Sequence, residues 1–137
     1  MSFEELRGDE LAGLRILVVD DEPETLELVS QALREAGGNV VDASGAARAL
    51  ELLEQHDPHV VLSDLQMPEL DGFELMKQLR ARAHPVVAVA LSASASTADA
   101  KRALDAGFSV HVAKPIAMLD LVETIRAAAP PPSDRRE

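Results

Sequence analysis

The chain has 137 residues, enough for one domain with a sizeable core. Hydrophobic residues make up 47%, which argues against global disorder, and with three Phe and no Trp or Tyr the core must be aliphatic. A net charge of -11 argues against a nucleic-acid-binding surface and suits a cation or a basic partner, while the lack of cysteine rules out disulfides and thiol chemistry.

Residues 1–13 are polar and read as a loose extension or linker. They lack the apolar stretch of a signal peptide, and no apolar run is long enough to span a bilayer, so no membrane contact and a cytoplasmic location are expected. The first strand is expected at 15–19, "RILVV", followed by a helix over about 23–36 with Pro23 in its first turn and Gly37 at its end. Strands at 39–43, 59–63, 86–91 and 109–113 then alternate with helices near 45–55, 72–82, 97–106 and 116–128. Helical spacing is clear in Leu26, Val29, Leu33 and Ala36, and again in Met118, Leu121, Val122 and Ile125. Asp71 and Glu74 resemble a capping box. Residues 129–137, with "PPPSDRRE", read as a Pro-rich polar tail, which leaves 14–128 as the folded domain.

Five strand–helix units imply an α/β fold: a doubly wound parallel sheet with helices on both faces and the strand order 2-1-3-4-5. Right-handed crossovers bring the C-terminal end of every strand to one rim, where ligands bind. Asp20 and Asp21 follow the first strand, Asp64 the third, Ser92 the fourth and Lys114 the fifth. Three carboxylates, a hydroxyl and an ammonium are therefore expected to share one pocket. Clustered carboxylates repel one another, and a divalent cation removes that penalty. Oxygen ligands without His or Cys favour Mg²⁺ or a similar hard ion such as Mn²⁺. Metal, ammonium and hydroxyl together suit phosphoryl transfer, and Asp64, on the central strand, is the candidate nucleophile for an aspartyl phosphate.

Each piece has a plainer reading when taken alone. Asp20, Asp21 and Glu22 could simply cap the helix they precede and complement its dipole. Asp64 could be a loop residue before Met67-Pro68, Ser92 part of a flexible "SASAS" loop, and Lys114 a solvated lysine. His56, His59 and His84 lack ligand spacing and read as surface or strand-edge residues, and His111 as a half-buried strand residue. Only the joint placement at the rim favours the chemical reading.

The motifs "VVDDE", "SDLQMPELDGFEL", "ALSA" and "AKP" stand in the order and spacing of a two-component response-regulator receiver domain, and over residues 14–128 the chain resembles that CheY-like family. The resemblance implies a phosphorylation-dependent signalling module. Asp64 would be the phospho-acceptor and a metal ligand, Asp21 a direct Mg²⁺ ligand, and Asp20 a ligand through water. The Gln66 backbone carbonyl would complete the metal set. Ser92 would bond the phosphoryl group as switch, Lys114 would pair with it, and Lys114–Pro115 would be cis. His111 stands where the family usually carries Tyr or Phe as a second switch, and its ring is smaller and titratable. The implied partners are a histidine kinase or histidine phosphotransfer domain. An output protein, or a second copy of the chain, would engage the 97–128 face. The "LAGLRILVVDDE" and "HVAKPI" segments resemble receivers of hybrid histidine kinases.

Three other readings have distinct signatures. A haloacid-dehalogenase-like phosphatase needs an Asp two residues after the nucleophile, where this chain has Gln66. A pseudo-receiver would have lost an acid or the lysine. An FMN binder would need a Ser/Thr/Gly-rich loop after the first strand, where this chain has acids. No enzyme activity beyond self-catalysed phosphotransfer and autodephosphorylation, and no organic cofactor, is expected.

Overall fold

The computed structural model describes residues 8–65, 72–81, 86–92, 97–114 and 117–130. Strands β1 (Arg15–Val19), β2 (Asn39–Ala43), β3 (Val60–Asp64), β4 (Val87–Ser92) and β5 (Val110–Ala113) alternate with helices α1 (Pro23–Glu35), α2 (Ala46–His56), α3 (Gly72–Arg80), α4 (Thr97–Ala106) and α5 (Met118–Ala128). All strand pairs are parallel, in the order β2-β1-β3-β4-β5. This is the sheet the alternation of strand and helix patterns implies.

The pleat sorts the core into two layers. Ile16, Val18, Val60, Leu62, Val89 and Leu91 pack with Leu26, Val29 and Leu33 of α1 and with Leu121, Val122 and Ile125 of α5. The residues between them, Leu17, Val19, Val61, Ala88 and Ala90, face Leu52, Leu53, Leu75, Met76, Leu79 and Ala103 on α2, α3 and α4. Because side chains alternate along a strand, a strand buried on both faces must be apolar at nearly every position. The pattern in β3 shows this, with all five residues buried.

Helix α1 ends in two backbone bonds: Gly37 N–H donates to the Arg34 carbonyl at 2.9 Å, and Gly38 N–H to the Leu33 carbonyl at 3.0 Å. Gly37 has φ +97°, the left-handed geometry that glycine adopts without penalty. The described part of the extension expected to be loose, residues 8–13, is docked on this turn. Leu11 is fully buried, its N–H donates to the Ala36 carbonyl at 2.8 Å, and the Gly8 backbone lies against Gly37. The helix end leaves a carbonyl and an apolar face that the incoming chain covers.

His59 also departs from expectation. It sits at the edge of β3, as expected, yet is buried. Its Nδ1 accepts the Arg15 N–H at 2.9 Å, and its own N–H donates to the Arg15 carbonyl at 2.9 Å. The imidazole thus extends the β1–β3 ladder by one rung at the end of the sheet opposite the acids.

Candidate functional site

Two strands end one residue later than their composition suggests. Asp64 is the last residue of β3, in register with Leu91, and Ser92 is the last residue of β4, in register with Ala113. Both belong to the ladder rather than to the loops beyond it. A carboxylate on a paired backbone is held more firmly than one on a loop. Asp64 is buried, as are Asp20 and Ser92.

Behind Asp64, the chain returns to begin α3. Gly72 N–H donates to the Leu65 carbonyl at 3.0 Å. A Cβ at Gly72 would stand 2.5 Å from the Asp64 carbonyl oxygen and 2.9 Å from Leu65 Cα. Only glycine permits this approach, so the "DG" pair fixes how close α3 lies to the end of β3. That role was not read from the sequence, although the glycine was in view within "SDLQMPELDGFEL".

Asp20, Asp21 and Asp64 each offer a carboxylate oxygen, and these three oxygens lie within 4.8 Å of one another. Asp20 divides its labour. Its Oδ1 accepts the Glu22 N–H at 2.9 Å, which shapes the turn into α1, while Oδ2 lies 2.9 Å from Lys114 Nζ. This bond ends on the N-cap residue's own N–H, so it shapes the turn without capping the helix. Glu22 is the N-cap residue of α1 but makes no side-chain cap; it reaches Lys114 at 3.2 Å instead. This second role of Glu22 was also missed from sequence. Lys114 Nζ is 3.4 Å from Asp64 Oδ2. The Lys114 backbone is anchored by its N–H, which donates to the Ser92 carbonyl at 2.7 Å.

Electrostatics at this rim are strained by design of the sequence. Burial alone would lower the pKa of Lys114, but the close Asp20 carboxylate and the charge of Asp64 outweigh it and raise it well above the usual lysine range. The sign follows: the ion pairs persist below the ordinary lysine value of 10.5 and are lost only as pH rises through the higher folded value. Four formal carboxylate charges, of Asp20, Asp21, Glu22 and Asp64, against one ammonium still leave an excess of three negative charges. Asp20 Oδ2, though 2.9 Å from Nζ, is buried outside hydrogen-bonding geometry and has no hydrogen-bond partner. A buried carboxylate oxygen with an ion pair but no hydrogen bond, beside two further carboxylates, is a donor set that a hard divalent cation satisfies.

The other expected site residues divide. Ser92 is one residue beyond the rung that pairs with Asp64, on the neighbouring strand. His111 lies on β5 opposite Ala90, is half-buried, and has a buried Nε2 without a hydrogen-bond partner. Gln66, Met67, Pro68, Asp71, His84 and Pro115 lie outside the described residues. No helix among the described residues is long and apolar enough to cross a membrane.

Comparison with known proteins gives a consistent result. The profile of the response regulator receiver domain matches residues 16–126. An uncharacterized 14.6 kDa protein from Leptolyngbya boryana is 40% identical over 118 residues, covering 85% of this chain and 90% of that protein. The transcriptional regulatory protein KdpE of Mycobacterium tuberculosis is 38% identical over 113 residues, covering 82% of this chain; the chain spans 50% of KdpE. Among solved structures, the receiver domain of the Francisella response regulator 1452 superposes with a TM-score of 0.79 at 27% identity, covering 84% of this chain and 95% of that one.

Proposed function

This chain belongs to the response regulator receiver domain family, a phosphorylation-dependent signalling module of two-component systems, and from that premise we propose that Asp64 is its phospho-acceptor, with residues 14–128 as the receiver unit. The observation that carries the reading is the buried Asp64 carboxylate at the end of β3, with Asp20 and Asp21 beside it and Lys114 Nζ at 3.4 Å.

In this reading a phosphohistidine on a histidine kinase or phosphotransfer domain is the donor. An Asp64 carboxylate oxygen attacks phosphorus, the P–O bond forms as the P–N bond to the imidazole breaks, and the imidazole leaves with the bond's electron pair. Lys114 balances charge on the transferred phosphoryl oxygens. The Ser92 hydroxyl donates a hydrogen bond to the same group. Attack of water on phosphorus later restores the Asp64 carboxylate. Asp20, Asp21, Asp64 and the Gln66 carbonyl would hold Mg²⁺ (or Mn²⁺), which when bound supplies positive charge against the phosphoryl oxygens. The transferred group adds about -1.5 to -2 charge at the rim. That charge draws Ser92 and biases α4, so the face formed by α4, β5 and α5, residues 97–128, changes its affinity for an output protein or a second copy. His111 sits in this face and supplies its second switch.

Intact-mass analysis after incubation with acetyl phosphate and Mg²⁺ should show one acid-labile phosphoryl adduct, absent from Asp64→Asn. Equal labelling of that variant would assign the acceptor elsewhere. Lys114→Ala should still be labelled but should fail to transmit the change to α4.

A further inference from the structure

A second charged site lies between two helices that cover the same face of the sheet. Helices α3 and α4 border a cleft of about 340 Å³ lined by Phe73, Glu74, Lys77, Arg80, Arg102 and Ala106. Three cations against one carboxylate make it locally basic on a chain whose net charge is -11. Lys77 and Arg80 stand one turn apart on α3 and Arg102 on α4, so no single amphipathic pattern produces the cluster.

All three cations are exposed, and each has a partner. Arg80 donates through one terminal nitrogen to the Ala106 carbonyl at 3.1 Å, satisfying the C-terminal end of α4. Gly107, at φ +116°, gives Arg80 its room: a Cβ there would stand 3.0 Å from Arg80 Cδ and 3.5 Å from Nε. Arg102 lies over the Phe73 ring at 4.0 Å from its centroid, and that ring packs edge-on against Phe108 with centroids 6.4 Å apart. Lys77 pairs with Glu74 at 3.2 Å. These contacts orient the guanidinium groups without exhausting them, since each carries five donors. Two fixed guanidinium forks cost little to reorder when an anion arrives.

We propose that this α3–α4 cleft is a binding site for a small phosphorylated ligand, of the size of a phosphate monoester or mononucleotide, held by Arg80, Arg102 and Lys77. The volume is that of a small-ligand site. Two guanidiniums and an ammonium lining one cleft offer donors enough for the three terminal oxygens of a phosphate, more than the two of a carboxylate require. The overall negative charge disfavours an extended acidic protein partner, whereas a compact anion experiences mainly the local field. The cleft contains none of the rim acids, so its proposal stands or falls separately from the phospho-acceptor reading.

The test is an amide NMR titration of the full chain with AMP and, separately, inorganic phosphate. It is run at constant ionic strength against chloride, with chelator present so that the acid rim repels anions. Saturable shifts near residues 73–80 and 102–107 are expected, weakened at least tenfold in Arg102→Gln and in Arg80→Gln. AMP binding more tightly than phosphate identifies a nucleotide-like ligand; equal binding identifies the phosphoryl group alone. Because Arg80→Gln also removes the bond to Ala106, Arg102→Gln is the deciding variant. Linear shifts matching those with chloride, saturation unaffected by Arg102→Gln, or tighter binding of a polyglutamate peptide at the same residues would overturn the proposal.

Discussion

The two helices that flank the β4–β5 edge of the sheet are anchored very differently. On one face, α5 buries Leu121, Val122 and Ile125 completely, against Val89, Leu91 and the apolar side of α1. On the other, Ala103 is the fully buried residue of α4 among those described, set against a strand face of Ala88 and Ala90. Leu104 of α4 points outward and is half exposed. What holds α4 is largely polar and peripheral: the Arg80 bond to its last carbonyls and Arg102 on Phe73. Burial of a large aliphatic side chain contributes about 1.5–3 kcal/mol, and α5 has three of these where α4 has an alanine. The sheet thus presents one helix fixed to the core and one that can shift at small cost, and the buried acid site abuts the strand that precedes the second.

The largest expected effect tests that contrast in stability. Ile125→Ala should cost about 2–5 kcal/mol in urea unfolding, through lost burial and a residual cavity. Ala103→Gly on α4 should cost only about 1 kcal/mol, mostly from helix propensity. Equal losses would mean that α4 is as firmly seated as α5.

A smaller effect sharpens the account of α4. Phe73→Leu keeps an apolar side chain but removes the ring beneath Arg102, so about 0.5–1 kcal/mol should be lost. Amide exchange should speed up in α4 and be unchanged in α1 and α5. Faster exchange across all five helices would show that Phe73 supports the core at large.

The smallest effect concerns a flaw on the well-packed side. Ser30 of α1 is fully buried, and its hydroxyl has no hydrogen-bond partner. Ser30→Ala should therefore be neutral or stabilise by up to about 1 kcal/mol. A clear loss of stability would show that the hydroxyl contributes to the α1–α5 packing.

Much of this was legible in the sequence, for identifiable reasons. Strand and helix periods are local, so all ten elements and their alternation could be read from runs such as "RILVV" and from Leu26, Val29 and Leu33. The rim site was legible because a parallel sheet gathers its strand ends: Asp20, Asp21, Asp64 and Lys114 meet as that rule requires. Features set by distant partners were not legible. Asp64 lies within β3 because Leu91 of β4 extends the ladder to meet it. Leu11 is buried because the end of α1 accepts it, and His59 because Arg15 supplies its partner groups. The α3–α4 cations stand at 77, 80 and 102 with no motif linking them, so only the packing of two helices reveals the cleft.

The central claim is that charge placed on Asp64 moves α4 while α5 stays fixed to the core. Beryllofluoride with Mg²⁺ mimics the aspartyl phosphate, and amide NMR can follow every described helix at once. Large shifts are expected at residues 20, 21, 64 and 114 and along 97–106, with 121–125 and 26–33 nearly unchanged, and all of them should vanish in Asp64→Asn. Shifts confined to the acid rim, with 97–106 silent, would contradict the claim.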